Sequence, residues 1–300
     1  MIAGVAGRDL RPGLLGEFRN SSDLRSDPAA LRERMAEDGC LLLRGLIDPP
    51  TVQAARAEVL SRLREVGEID GPDDAPVATG TSRRAALHAD LGEFWRSVCE
   101  GPALRACVHG EAVTGAMAAL LGAPVVPFDF TWLRAVTAGR ASPFHFDHPY
   151  MNRGSPRVLT CWVPLGDVAL EEGPLVALEG SQRFEDLAAR VRGRDVDREP
   201  GFSGSFGDDV MALAEARGSR FLSTDFRAGD VLIFGMFLFH GSLDNRSPAG
   251  RLRLSCDVRF QPAADARDER WFGAPPRGHG DRSYGGLNGA QPLTATPFAR

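Results

Sequence analysis

The sequence contains no lysine, because all 35 of its basic residues are arginine. Covalent catalysis through a lysine Schiff base is therefore excluded. The five cysteines are scattered and include no Cys-x-x-Cys pair, which argues against a disulfide framework and against a zinc ribbon. No apolar run reaches the roughly 18 residues that a membrane-spanning helix needs. The chemistry of this chain must therefore rest on other side chains.

The composition is that of an ordinary globular protein, with 43% apolar and 25% charged residues in a chain of 300. The net charge of -5 argues against general nucleic-acid binding, because such binding depends on neutralising phosphates. The first residues contain no apolar stretch of signal-peptide length. We predict a reduced, cytoplasmic protein whose partner is a small-molecule substrate, with no nucleic acid and no membrane; its oligomeric state is not predicted.

The order of helical and strand-like patterns predicts one domain over residues 1–300. Residues 1–123 are mostly helical in pattern, and short strand-like runs separated by turns occupy 124–262. A charged, glycine-rich insertion interrupts these runs at 185–222, and 263–300 is predicted to be a tail of loops. Helices first and short strands later predict a mainly β fold with a helical buttress, a double-stranded β-helix of the jelly-roll, cupin-like type.

The most informative segment contains His145 and Asp147. Residues two apart in a strand point to the same face, so these side chains would project together, with Phe144 and Phe146 on the other face. His240 ends an apolar strand and precedes a turn of small residues, which places it at a rim. Two histidines and one carboxylate are typical of non-haem Fe(II) oxygenases. Each residue alone also has a plainer reading, such as a packed histidine bonded to a backbone carbonyl.

Arg251 opens the strand-like run RLRLSCDVRF, shortly after His240. An oxygenase that uses 2-oxoglutarate must hold the distal carboxylate of that cosubstrate. The planar guanidinium suits this role, because it meets a carboxylate with two parallel charged hydrogen bonds. Arg253 faces the same way in a strand, so the residue pattern leaves the choice between the two arginines open. Either arginine could instead be an exposed strand residue.

Taken together, these segments resemble the phytanoyl-CoA dioxygenase family of Fe(II)/2-oxoglutarate-dependent dioxygenases over most of the chain. The run RMAEDGCLLLRGLIDPPTVQAAR is similar to the family's N-terminal strand and helix, and FHFD is similar to its His-x-Asp motif. HGSLDNRS followed by RLRLSC resembles the distal histidine, a nearby serine and the cosubstrate arginine. TCWVPLGDVALEEGPLVALEGSQ resembles a strand pair that ends in Pro-Gly-Ser-His in the family, where this chain has Glu-Gly-Ser-Gln.

The resemblance implies a ligand set and a cosubstrate site. Its metal ligands, which are also its catalytic residues, are His145, Asp147 and His240. It selects Arg251 over Arg253, because the family arginine stands five residues before the cysteine of the Ser-Cys pair, as Arg251 does here. The implied cosubstrate-binding residues are Arg251, Trp162, Ser242, Trp132 and Arg134. In the loop after the ligand pair, the substrate-side candidates are His148, Tyr150 and Arg153.

The resemblance also implies Fe(II), 2-oxoglutarate and O2 as cofactor and cosubstrates, with succinate and CO2 as co-products. Related halogenases have a small residue in place of Asp147, so this chain is predicted to hydroxylate an unactivated C–H of a small organic molecule. Desaturation, epimerisation and ring closure use the same ligands and stay open. Two alternatives remain: a cupin-like metalloenzyme that does not use 2-oxoglutarate, opposed by Arg251, and a non-enzymatic binding barrel, opposed by the complete ligand set. The sequence does not identify the substrate or say whether it is a coenzyme A thioester.

Overall fold

The computed structural model describes residues 3–205 and 209–293, and helices precede most of the strands along the chain. The helices are α1 (Pro28–Asp38), α2 (Pro49–Glu65), α3 (Arg84–Leu87), α4 (Leu91–Cys99), α5 (Pro102–Val108), α6 (Glu111–Leu121), α7 (Glu185–Ala189) and α8 (Val210–Arg217). The strands are β1 (Gly4–Val5), β2 (Arg8–Asp9), β3 (Leu15–Gly16), β4 (Cys40–Leu43), β5 (Ile69–Asp70), β6 (Val77–Ala78), β7 (Val125–Pro127), β8 (Trp132–Val136), β9 (Leu159–Pro164), β10 (Leu175–Leu178), β11 (Phe221–Leu222), β12 (Val231–Gly235), β13 (His240–Ser242) and β14 (Arg253–Pro262). Within these described ranges, no helix is both long and apolar enough to cross a membrane.

The longest helix, α2, begins where the sequence provides a cap and a fixed backbone angle. The Asp48 carboxylate accepts a hydrogen bond from the backbone nitrogen of Thr51 at 3.0 Å, and prolines occupy the first helical positions. Apolar residues then recur at helical spacing and form one buried face against the sheet. That face consists of Val52, Ala55, Val59, Leu60 and Leu63.

Two sheets form the centre of the fold. The larger sheet has the strand order β4-β12-β9-β14-β7, with β8 also paired to β14, and the smaller sheet has the order β13-β10-β11-β3. One apolar cluster joins side chains of both sheets, so the sheets pack face to face. The cluster includes Leu42, Trp162, Leu175, Ala177, Leu222, Leu232 and Phe234. The prediction of a mainly β jelly roll with a helical buttress is confirmed.

The central strand β14 has all ten of its residues buried, with a strict alternation of character. Its apolar side chains belong to the cluster that contains the N-terminal helices, and because strand residues alternate, its polar side chains face the smaller sheet. The apolar set is Leu254, Cys256, Val258 and Phe260, and the polar set is Arg253, Ser255, Asp257, Arg259 and Gln261. This strand therefore carries charged groups into the space between the sheets.

The described parts of the predicted insertion, 185–205 and 209–222, form an outer layer on the smaller sheet. Apolar residues of α7, α8 and the segment between them pack with β10, β11 and the residue that precedes β13. The residues in this contact are Leu187, Val191, Val210, Met211 and Ala214 with Val176, Leu178, Phe221 and Phe239. The last two residues of the insertion form β11, so this segment is part of the sheet as well as its cover.

The described part of the predicted tail, 263–293, has the irregular backbone that was expected but is tightly packed. Trp271 and Tyr284 are both 0% exposed. The Tyr284 ring stacks on Phe130 with ring centroids 4.2 Å apart, and its hydroxyl accepts a hydrogen bond from the Thr131 backbone nitrogen at 3.1 Å. The tail therefore completes the core on the helical side of the larger sheet.

This packing predicts a large stability loss in the tail. Trp271→Ala is expected to lower the free energy of unfolding by about 3–5 kcal/mol, because it removes a fully buried aromatic side chain and leaves a cavity. Denaturant unfolding measures the loss. Leu87→Ala is the control, since Leu87 is 50% exposed, and it should cost less than about 0.5 kcal/mol. Equal losses for the two variants would mean that the tail does not pack as described.

Candidate metal centre

Three potential metal ligands converge between the sheets. The Nε2 atom of His145 lies 3.5 Å from Oδ1 of Asp147, and the Nε2 atom of His240 lies 4.0 Å from the same oxygen. The two imidazole centroids are 4.4 Å apart. Within residues 3–205 and 209–293, this is the only cluster of three or more possible ligand side chains whose atoms all lie within 4.8 Å of one another.

A short backbone bridge holds the two histidines side by side. The His145 nitrogen donates to the His240 carbonyl at 2.8 Å, and the His240 nitrogen donates to the His145 carbonyl at 3.1 Å. The strand expected around His145 is reduced to this isolated bridge, because Pro143 has no N–H to donate and a 3-10 turn begins directly after Asp147. The side chains still alternate as expected. Phe144 and Phe146, on either side of His145, pack in the apolar cluster formed by the smaller sheet and the insertion.

Both imidazoles have the tautomer that metal binding needs. Nδ1 of His145 lies 2.9 Å from the Pro143 carbonyl, and Nδ1 of His240 lies 2.9 Å from the Leu238 carbonyl. Because a carbonyl can only accept, each Nδ1 carries the hydrogen and leaves the Nε2 lone pair directed toward Asp147. Burial, and next the proximity of His145, lower the pKa of His240 to about 4. His240 is therefore a neutral ligand near pH 7.

Asp147 is held as a carboxylate although it is only 2% exposed. The Thr160 hydroxyl donates to its Oδ2 at 2.6 Å, and Nη2 of Arg259 lies 3.3 Å from both carboxylate oxygens. Burial tends to raise the pKa of Asp147, but the positive charge of Arg259 opposes it, and the pKa is held well below its ordinary value. Two imidazole nitrogens and one carboxylate oxygen, all on one side, fit Fe(II).

A small cavity opens next to His145 and His240. Its walls include three of the five residues predicted to bind the cosubstrate. The lining side chains that matter here are His145, His240, Arg134, Trp162, Ser242 and Arg253. A second ligand molecule could therefore reach the metal group from this side.

Arg253 presents an unpaired guanidinium edge in the wall of this cavity. The side chain is 3% exposed, and its Nη1 donates to the Ser255 hydroxyl at 3.1 Å. Its Nε and Nη2 atoms have no partner in the described part of the chain. Burial, and then the nearby Arg134, lower the pKa of Arg253 to about 9. A buried cation without a counter-ion is costly, so this wall is suited to an anion.

The structure places Arg251, the arginine chosen from the sequence for the cosubstrate, away from this cavity. Arg251 does not line the cavity; its Nη1 pairs with Oε1 of Glu172 at 2.7 Å, and its Nη2 donates to the Asp74 carbonyl at 2.5 Å. Glu172 is only 4% exposed and needs a cationic partner, which draws Arg251 away from the space between the sheets. Arg251 also precedes β14, where its backbone bridges to Val77. Arg253 lines the cavity instead.

The other predicted cosubstrate residues differ in their placement. Ser242 lines the cavity and its hydroxyl accepts a hydrogen bond from the Ser142 backbone nitrogen at 2.8 Å. Arg134 also lines the cavity and pairs with Asp257 at 2.6 Å. Trp162 forms part of the wall, with the guanidinium carbon of Arg253 6.0 Å from its ring centroid. Trp132 is not in the wall; its ring centroid lies 4.1 Å from the guanidinium carbon of Arg259.

Of the three substrate-side candidates, Tyr150 alone contacts a candidate ligand, with its ring 6.0 Å from that of His145. His148 stacks on Phe237 at 4.5 Å, and its Nε2 accepts a hydrogen bond from the Gly193 backbone nitrogen at 3.2 Å.

Arg153 also contacts the insertion: its guanidinium pairs with Asp195 at 2.5 Å and with Asp197 at 3.6 Å. His148 and Arg153 therefore attach the insertion to the ligand loop. The insertion also reaches the site directly, since the backbone of Ser205 bridges to that of His145.

Sequence reasoning missed Thr160, Asp257 and Arg259 as members of the site. Thr160 and Arg259 contact the Asp147 carboxylate, and Asp257 holds Arg134 in the cavity wall. A signal for the two charged residues was present, because RLRLSCDVRF alternates apolar residues with arginine, serine and aspartate. Charged residues at every second position of a buried strand indicate a polar interior face.

Comparison with known proteins identifies a matching family and similar enzymes. A family model described as phytanoyl-CoA dioxygenase (PhyH) matches residues 35–252. A 1-deoxypentalenic acid 11-beta-hydroxylase of Streptomyces exfoliatus is 26% identical, with 94% of this chain and 97% of the relative covered. An L-proline trans-4-hydroxylase of Streptomyces griseoviridis is 28% identical over 74% of this chain and 82% of the relative.

Solved structures show the same fold. The epimerase SnoN from nogalamycin biosynthesis, crystallised with Fe3+, alpha-ketoglutarate and nogalamycin RO, has a TM-score of 0.52 and 20% identity, with 84% of this chain and 93% of that chain covered.

Proposed function

The chain belongs to the phytanoyl-CoA dioxygenase family, and from that premise we propose that His145, Asp147 and His240 bind Fe(II) and that Arg253 binds the distal carboxylate of 2-oxoglutarate. The protein is an Fe(II)- and 2-oxoglutarate-dependent dioxygenase of the hydroxylase type. One observation carries the assignment of residues: three converging ligand atoms stand beside a cavity whose wall holds an unpaired, buried arginine.

The unpaired edge of Arg253 supports a dicarboxylate cosubstrate. Nε and Nη2 lie on the same edge of a guanidinium, and this edge can meet both oxygens of one carboxylate. Trp162 and Ser242 line the same cavity. An anion bound here compensates the buried positive charge, and its other end is then available to reach the metal group.

The reaction that we propose is hydroxylation of an unactivated C–H in a small organic molecule. Iron, 2-oxoglutarate and O2 supply the oxidant, with succinate and CO2 as co-products. The chain's own residues do three things: the two Nδ1 hydrogen bonds orient the imidazoles, Thr160 and Arg259 hold the carboxylate, and Arg253 neutralises the cosubstrate. Two relatives named as hydroxylases support this type of reaction, and the retained Asp147 opposes halogenation.

The five cysteines, all free and buried, support the proposal that the protein works in a reducing compartment, which we take to be the cytoplasm. The partner proposed from the site is a small molecule, and the cavity that would receive it lies between the sheets.

Anaerobic titration tests the assignment as a dioxygenase. The protein is loaded with Fe(II) and titrated with 2-oxoglutarate, and the metal-to-ligand charge-transfer absorption of the chelate is followed. We expect one equivalent of iron per chain and a saturable band. On admission of O2, succinate should form, and a screen of small organic molecules read by succinate then identifies the substrate. Iron binding without any band would instead favour a cupin-like metalloenzyme that does not use 2-oxoglutarate.

A further inference from the structure

Arg259 is the buried cation nearest to the candidate metal ligands in the described ranges, and sequence reasoning gave it no role. It lies on the polar face of β14 and is 2% exposed. Its Nη2 is 3.3 Å from Oδ1 and 3.3 Å from Oδ2 of Asp147. Its guanidinium carbon lies 4.1 Å from the centroid of the Trp132 ring, so the planar group is held by a stacking contact as well as by the carboxylate.

The surroundings of Arg259 form a line of alternating charges. Arg134 pairs with Asp257 at 2.6 Å, Asp257 interacts electrostatically with Arg259, and Arg259 contacts Asp147. Nε and Nη1 of Arg259 have no partner in the described part of the chain, so Asp147 is its main hydrogen-bonding partner. This line runs from the wall of the cavity to the carboxylate that faces the histidines.

A carboxylate that had only to bind a divalent metal would not need a buried arginine. Thr160 already donates a hydrogen bond to Oδ2, which leaves Oδ1 toward the histidines. The guanidinium adds a full positive charge on the same carboxylate, and burying that charge is costly. A fixed cation near a metal disfavours the more highly charged state of that metal, because the repulsion grows with the charge.

We propose that Arg259 is a positioning residue of the metal centre: it fixes the plane of the Asp147 carboxylate, and its charge favours Fe(II) over Fe(III) at the site. The inference rests on the proposed role of Asp147 as an iron ligand. Trp132 then helps to position the metal centre, since its ring contacts the Arg259 guanidinium and holds it in place.

The Fe(III)/Fe(II) reduction potential of the iron-loaded protein, measured without cosubstrate, tests the proposal. In Arg259→Met, the ratio of Fe(III) to Fe(II) affinity should rise at least about tenfold, which lowers the potential by about 59 mV for one electron. Arg259→Lys keeps the charge and should recover most of the potential. Arg253→Met is the matched control, because it removes the same charge from the same face of the same strand without contact with Asp147, and it should shift the potential less.

Several results would overturn the proposal. They are an unchanged potential in folded Arg259→Met, an equal shift in Arg253→Met, or a Lys variant no better than Met. If Arg259→Met does not fold, Arg259→Gln, a neutral residue that can still donate to Asp147, should show the same fall. If neither variant folds, the guanidinium ¹⁵N resonances of Arg259 in the unmodified protein should move when Zn(II) binds, and their failure to move counts against the idea. An unmodified protein that binds no metal refutes the proposed function itself, which separates the two failures.

Discussion

Arg253→Ala is expected to weaken binding of 2-oxoglutarate to the Fe(II)-loaded protein by roughly 30- to several-thousand-fold. The reason is that truncating one side of a buried, hydrogen-bonded charge pair typically costs about 2–5 kcal/mol. The anaerobic charge-transfer titration measures the change. Arg253→Lys should also be impaired, since an ammonium cannot present two parallel N–H groups to a carboxylate.

Arg251→Ala is the control for this experiment. Arg251 is two residues before Arg253, but it is paired with Glu172 outside the cavity. Its cosubstrate affinity should stay close to that of the unmodified protein. Equal losses at Arg251 and Arg253, or a larger loss at Arg251, would contradict the described arrangement of β14 and of the segment that leads into it.

Loss of any one candidate ligand is the second large effect. His145→Ala, Asp147→Ala and His240→Ala are each expected to abolish turnover and to weaken Fe(II) binding by more than the roughly 10–100-fold that loss of a ligand's hydrogen-bonding partner costs. Metal analysis after equilibration with one equivalent of Fe(II) gives the stoichiometry, and succinate formation gives the activity. Near-normal activity in any of the three would remove that residue from the ligand set.

The two histidine variants are the cleaner tests. Asp147→Ala would also leave the buried Arg259 without its carboxylate, so a loss of stability would accompany the loss of metal. His148→Ala is a matched control, because His148 follows closely in sequence but stacks on Phe237 and faces the insertion. Its iron stoichiometry should remain that of the unmodified protein.

The convergence of the three candidate ligands was predictable from the sequence because it depends on short-range rules. His145 and Asp147 are two residues apart in an extended segment, and this spacing is enough to place both side chains on one side. It is enough even though the segment forms only a single bridge. His240 was readable because an apolar strand followed by small residues ends at a rim. The jelly roll was likewise predictable, since it follows from the order of helical and strand-like patterns.

The choice between Arg251 and Arg253 could not be made in this way. Alternation gives both side chains the same face, and what separates them is the position of Glu172, which is distant in the sequence. The contact of Arg259 with Asp147 has the same origin, because it joins β14 to a segment that is distant from it in the sequence. The packed tail shows a further limit: its glycines and prolines predict an irregular backbone, but whether that backbone is buried depends on what Trp271 and Tyr284 meet.

The attachment of the insertion has a consequence for protein engineering. The insertion contacts the ligand loop through Arg153 and His148, and Asp197 links it to the tail through Arg270 at 2.6 Å. A chimera that exchanges residues 185–222 alone would leave Arg153 and Arg270 without their carboxylate partners in the insertion. The exchangeable unit is therefore discontinuous: the insertion must be transferred together with the loop 148–153 and the tail segment around Arg270 if these contacts are to be kept.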